Sequence, residues 1–188
     1  MGQVIHFEEQ VVARLRERLG QAEEANEDLV AFARGHSDAV ASINLAVLEA
    51  IEAPSVEGLL DVITSRWPGT LGIDFVAVAL TVGDRGFRAN WNGIERVEPL
   101  FVERMVGQVP DVDVQSVETG HPLFGITACR EIRAQALIRI DGPRPFPSGV
   151  IALGQRAGLE VQSSHGSHLL VFLGRVVAAT IRRCIATA

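Results

Sequence analysis

Polar and apolar positions divide this chain near residue 52. Before that point apolar side chains recur at strictly alternating spacings of three and four, through Val12, Leu15, Leu19, Ala22, Asn26, Leu29, Ala33, His36, Val40, Ile43, Val47 and Ala50. Only Asn26 and His36 interrupt the stripe with polar side chains. A 3.5-residue repeat held this long marks a helix packed along a partner helix. Residues 1–52 are therefore predicted to form a long N-terminal coiled-coil helix that builds a homodimer, with Val12, Leu15, Leu19, Asn26 and Leu29 at the interface. In a parallel pair with Val12 at position a, Arg18 falls at g and Glu23 at the following e, where they can bridge the two chains. Asn26 then meets its own copy at an a position, which favours a two-stranded register. Beyond it Val30, Phe32, Ala39, Ala46 and Ile51 widen the stripe, so this part of the helix is expected to be buried on more than one side. Gly35, a poor helix former, with Ser37 and Asp38 as possible caps, marks a place where the helix can bend or break.

After residue 52 the periodicity changes. Ala53 and Pro54 interrupt the helix, and Ser55 can cap a new one carrying Val56, Leu59, Leu60, Ile63 and Trp67, which Pro68 and Gly69 are expected to end. Ile73 to Val82 is a nearly continuous apolar run rich in valine, read as a strand buried on both faces at the centre of a sheet. Gly83 to Gly86 make a turn, and Phe87 to Asn92 alternate as a half-exposed strand. Pro99 opens a short helix through Leu100, Phe101, Met105 and Val106. Asp111 to Arg130 has weak periodicity and collects Glu118, His121, Phe124 and Cys129, a segment able to wrap a pocket. Ala134 to Ile140 and Gly149 to Leu153 read as further strands, and a last helix starts at about Ser164 with Leu169, Leu170, Leu173, Val176, Val177, Thr180 and Ile181 on its apolar side. The second part, 53–188, thus reads as one α/β domain.

Composition narrows the chemistry. The chain has 188 residues, of which 47% are hydrophobic and 21% charged, enough to fill one core. Net charge is -6 and the arginines are scattered, without the basic stripe of a nucleic-acid surface. All 17 basic residues are Arg, and Tyr is absent, so a Schiff-base lysine, a phosphate-loop lysine and a tyrosine acid are excluded. Cys129 and Cys184 lie too far apart in sequence for a CxxC pair, which leaves a disulfide framework or a zinc site unsupported. The chain opens without the basic and apolar regions of a signal peptide and contains no run long enough to span a membrane. A cytoplasmic protein is expected, without nucleic-acid or membrane partners.

The order of elements after residue 52 resembles a GAF domain, the α/β sandwich of many bacterial sensors. The wording is closer still to one GAF-like bacterial family, catalogued as domain of unknown function 484 (DUF484). The opening VIHFEEQVVARLRERL, the LFG at Leu123 to Gly125 followed by IRAQALIRI, and the closing GVIALGQR and LLVFLGRVVAATIRR carry the resemblance, which covers nearly the whole chain. The chain departs from it at Arg156 to Ser164, where relatives carry an acidic approach with Phe and Pro to the last helix. The resemblance implies an α+β, GAF-like sandwich with a central antiparallel sheet flanked by helices, and a dimer, without an established chemistry. It also implies absences. The Asn-Lys-Phe-Asp-Glu set of cyclic-nucleotide relatives cannot be complete without Lys, neither cysteine has the context of bilin attachment, and the cysteine cluster of sulfoxide-reducing relatives is missing.

The remaining candidates are modest. His165 and His168 are spaced for one helix face, yet lack a third metal ligand. Cys129 with His121 has the elements of a nucleophile and base, but a free thiol most often serves as a small core residue. Trp91, His121, Phe124, Cys129, Arg133 and Gln135 are the candidate lining of a small-molecule pocket, with Arg133 available to an anionic group; Trp91 and Phe124 read equally well as core, and Arg133 as a surface charge. No catalytic or metal-binding residue is assigned. The expectation is a dimeric sensing or signalling module with an unidentified protein partner, or alternatively an interaction scaffold with a closed pocket.

Overall fold

A six-stranded antiparallel sheet organises the second of two compact units, Met1–Ala41 and Ser42–Ala188, in the computed structural model. The structure describes residues 16–21, 23, 37–141, 148–157 and 164–186. Within the first unit the described residues are helical, and 16–21 are exposed. Of the expected dimer residues, Leu19 is described and is 59% exposed; Val12, Leu15, Asn26 and Leu29 lie outside the described residues, as does Gly35.

The strands are β1 (Phe75–Val82), β2 (Arg85–Asn90), β3 (Gly93–Val97), β4 (Val112–Ser116), β5 (Ala134–Ile140) and β6 (Ser148–Gln155), in the order β3-β2-β1-β6-β5-β4. Every neighbouring pair is antiparallel; β1 is central, with Val78 opposite Ala89 of β2 and Ile151 of β6. Helix α1 covers 37–52, and its residues from 42 onward belong to the sheet-containing unit. The others are α2 (Val56–Asp61), α3 (Trp67–Leu71), α4 (Pro99–Gln108), α5 (Ile126–Glu131) and α6 (Ser164–Ala186).

Because side chains alternate along a strand, β1 feeds two cores. Val76, Val78 and Leu80 join Ile43, Val47, Leu59, Trp67, Val177 and Ile181 on the side of α1, α2 and α6. Ala77 and Ala79 join Val102, Met105, Leu123, Phe124 and Ile132 on the side of α4 and α5. The apolar run was thus correctly read as buried on both faces, and each large buried side chain in these cores contributes roughly 1.5–3 kcal/mol.

Four sequence readings shift. Ile43, Val47 and Ala50, read as seam positions, are buried in the chain's own core, as is Ala46, whereas Ile51 is exposed along with Leu45 and Leu48. Pro68 does not end the second helix. A π-helical turn at Val62–Arg66, closed by the Trp67 N–H donating to the Val62 carbonyl, lets the chain continue into α3 with Pro68 in the first turn, where its missing N–H leaves no bond unmade. The stop is Gly72, in the left-handed conformation at φ 64 with its N–H on the Pro68 carbonyl. The second strand ends at Asn90, which leaves Trp91 and Asn92 in the next turn. Finally, the edge strands β3 and β4 were not read from the sequence: β3 carries no apolar alternation, and β4 alternates only over Val112 to Gln115, and neither has a fully buried residue.

Candidate functional site

The predicted pocket residues fall into two groups. His121, Phe124, Cys129, Arg133 and Gln135 share the segment from the end of β4 to the start of β5, and most of their polar atoms hold that segment together. The backbone N–H of His121 donates to Gln135 Oε1 at 2.7 Å, and the Leu123 N–H donates to His121 Nδ1 at 3.3 Å. Burial lowers the imidazole pKa from its ordinary value, which suits Nδ1 as an acceptor. Arg133 spends Nη1 on the carbonyls of Glu118, Arg130 and Ile132. Cys129 is half-buried, and its Sγ donates to the Ile126 carbonyl at 3.5 Å. Phe124, 1% exposed, is core. Trp91 stands apart. Its turn is tied to the segment through Asn90, whose Nδ2 donates to the Leu123 carbonyl at 3.3 Å, but the indole is 59% exposed. Gln135 also borders a small cavity of about 120 Å3 with Ala134, Leu153 and Gly154. His168 is exposed, and among the described residues no three His, Cys, Asp or Glu side chains converge as a metal site.

A larger concavity lies elsewhere. A groove of about 700 Å3 forms where the start of α2, the β1–β2 turn and the end of α6 meet. Its apolar lining includes Val56, Val82, Phe87 and Ile185. Arg85 and Arg182 add two cations, and Glu57 and Asp84 two carboxylates. Arg85 Nε sits 3.9 Å from Asp84 Oδ1, an exposed and weak pair. The volume falls within the range of small-molecule sites, as does the combination of apolar wall and few charged groups.

The groove borders a junction between helices. Ser55 caps α2 by accepting from the Gly58 N–H at 3.0 Å. Just before it, Arg183 of α6 donates Nη2 to the carbonyls of Ile51 and Ala53 at 3.0 and 2.7 Å, satisfying acceptors left open where α1 stops. Buried Cys184 directs its thiol to the same Ala53 carbonyl at 3.8 Å. Sequence reasoning missed this groove because Val56, Phe87 and Ile185 each read as ordinary face residues of separate elements. Nothing in their spacing signals that the three elements converge.

Similarity to solved structures establishes the fold. The chain is similar to the GAF domain of a phosphoenolpyruvate-protein phosphotransferase from Coxiella burnetii, with 14% identity, 80% of this chain and 96% of that one covered, and a TM-score of 0.54. It is similar to JSC1_58120g3, a far-red absorbing dark state with bound biliverdin IXa, with 11% identity, 77% and 99% coverage and a TM-score of 0.51. It is similar also to the chromophore-binding domain of an unusual bacteriophytochrome from R. palustris, with 13% identity, 78% of this chain but 60% of that one, and a TM-score of 0.50. No curated protein matches the chain. The antiparallel sheet with helices on both faces is GAF-like, and the profile of the family described as "Protein of unknown function, DUF484" matches residues 1–186, so the chain belongs to that family.

Proposed function

We propose that this chain is a homodimeric small-molecule-sensing or signalling module with no catalytic activity of its own, and that its ligand occupies the groove between α2, the β1–β2 turn and α6. The observation that carries this reading is the position of the groove. Its walls include Pro54 to Glu57 with Arg182, Cys184, Ile185 and Ala186, directly beside the Arg183 contacts that fix the end of α1. A ligand that spreads or tightens those walls would alter the anchoring of α1, and binding biases a conformational equilibrium by its differential affinity for the two states. In this reading the helix of residues 1–52 serves dimerisation while its residues from 42 onward also pack into the core of the GAF-like domain formed by 53–188, and output passes to another protein in the cytoplasm. The biliverdin in JSC1_58120g3 supports the general reading, since a domain of the same fold there holds a small molecule. The thiols of Cys129 and Cys184 both face backbone carbonyls, an arrangement that does not favour a thiolate nucleophile at either position.

The alternative is an interaction scaffold with a closed pocket. It is favoured by the packing around His121 to Gln135, where Phe124 and Leu123 are buried and Arg133 Nη1 is committed to backbone carbonyls. A thermal-shift screen of nucleotides, amino acids and organic acids separates the two readings, because a ligand selective for the folded state raises Tm. The sensing reading expects a ligand whose shift disappears in Ile185→Arg, a substitution at an exposed groove residue. A shift unchanged by Ile185→Arg removes the groove assignment, and a screen without a stabilising ligand favours the scaffold.

A further inference from the structure

A second concavity, separate from the groove, has an unusual balance of charge. It encloses about 240 Å3 and is lined by Asp111, Arg139, Asp141, Val171 and Arg175, from the approach to β4, the end of β5 and one side of α6. Charges of both signs converge there, but they are not all paired. Arg139 Nη2 lies 3.2 Å from Asp141 Oδ2, while Arg139 Nε is buried without a hydrogen-bond partner. Asp111 meets Arg139 through backbone, its carbonyl accepting the Arg139 N–H at 3.0 Å. Neither the Asp111 carboxylate nor the Arg175 guanidinium forms an ion pair with another described residue.

The charges select among ligand classes. An anion would gain the Arg139 and Arg175 guanidinium groups but face Asp111 and Asp141; a cation would meet the reverse. A ligand carrying both charges at opposite ends satisfies both signs, and charge-assisted hydrogen bonds are the strong ones. The volume bounds its size. At ~30 Å3 for a water's share of liquid, the cavity matches about eight waters, and hence a ligand of comparable heavy-atom count. Val171 offers one apolar contact. We infer that this cleft binds a small free α-amino acid, its carboxylate held by the Arg139 and Arg175 guanidinium groups and its ammonium by Asp111 and Asp141. The site shares no lining residue with the groove, so it stands or falls independently of the proposed sensing site.

The test is calorimetric titration of the full chain with glycine, L-alanine, L-serine and L-valine, and with acetate and methylamine as single-charge fragments. At least one amino acid is expected to bind, with both fragments about tenfold or more weaker, as the loss of one set of charge-assisted contacts implies. Arg175→Gln and Asp111→Asn, both at exposed positions, should each weaken that amino acid by about tenfold or more. The inference is overturned if none of the four binds at millimolar concentration, if a fragment binds as tightly as the amino acid, or if both variants leave its affinity unchanged.

Discussion

Arg183 and Ala53 are joined by a 2.7 Å hydrogen bond from Nη2 to a backbone carbonyl, and the same nitrogen reaches the Ile51 carbonyl at 3.0 Å. One cation near the end of α6 thus caps the end of α1. Carbonyls at a helix C-terminus have no intrahelical partner, and a cation there also suits the helix dipole. Replacing Arg183 by Met keeps the aliphatic stem and removes the donors, which should destabilise the folded unit by about 1–2 kcal/mol. Urea unfolding with an unchanged m-value checks this; a midpoint equal to that of the wild type would show that the cap contributes nothing.

Gly125 carries the backbone constraint in the Leu123-Phe124-Gly125 motif. It sits at φ 89 and ψ 162 just before α5, a conformation nearly confined to glycine. There is room for a Cβ, with the nearest atoms, the Asn90 and Asn92 Nδ2, at 3.8 and 3.9 Å. The cost of Gly125→Ala is therefore backbone strain rather than collision, and it should be about 1–3 kcal/mol. Thermal melts of wild type and variant measure it, and an unchanged Tm would refute the strain argument.

This motif shows what the sequence made legible. Leu123 and Phe124 are buried in the core beside α4 and Gly125 turns the chain, so a short, strongly constrained signature was readable without a structure. The central strand was legible for the same reason: burial on both faces writes a continuous apolar run. Edge strand β3, with residues exposed along most of its length, leaves no such pattern. Pro68 misled because a π-helical turn absorbed it. The expected pocket residues from His121 to Gln135 share one segment in which Gln135 Oε1, His121 Nδ1, Cys129 Sγ and Arg133 Nη1 bond to backbone, which spacing cannot reveal. The groove needed the convergence of Val56, Phe87 and Ile185, residues from three elements distant in sequence.

His121 gives the fold a defined response to acid. Burial lowers its folded-state pKa from the ordinary 6.5, so the folded chain holds the proton less tightly than the unfolded chain. Its contribution to stability is fully present above about pH 6.5 and is lost as pH falls through the folded-state value. Protonation also removes the Nδ1 acceptor that receives the Leu123 N–H. Denaturant unfolding between pH 7.5 and 5 should show stability falling with acid, and His121→Asn, which keeps a short acceptor without titrating in this range, should flatten that slope. Parallel slopes for the two proteins would assign the acid response to other groups.

The proposed dimer is testable on both sides of the unit boundary. Leu19 is 59% exposed in the single chain, and Leu45, Leu48 and Ile51 are exposed on α1 although Ile43, Val47 and Ala50 of the same helix are buried. At roughly 100° per residue, Leu45 lies about 200° around the helix from Ile43, so α1 has one apolar side turned to its own core and another left uncovered. Burial against a second copy should contribute roughly 1.5–3 kcal/mol for each fully covered leucine. If the N-terminal repeat is the seam, Leu15→Asp with Leu19→Asp gives a monomer by light scattering. If the pairing extends along the outer side of α1, Leu48→Asp weakens the dimer as well, shifting dissociation to higher protein concentration without reducing the stability of the sheet-containing unit. A dimer mass unchanged in both variants would place the contact elsewhere and remove the route by which the groove would influence a partner chain through α1.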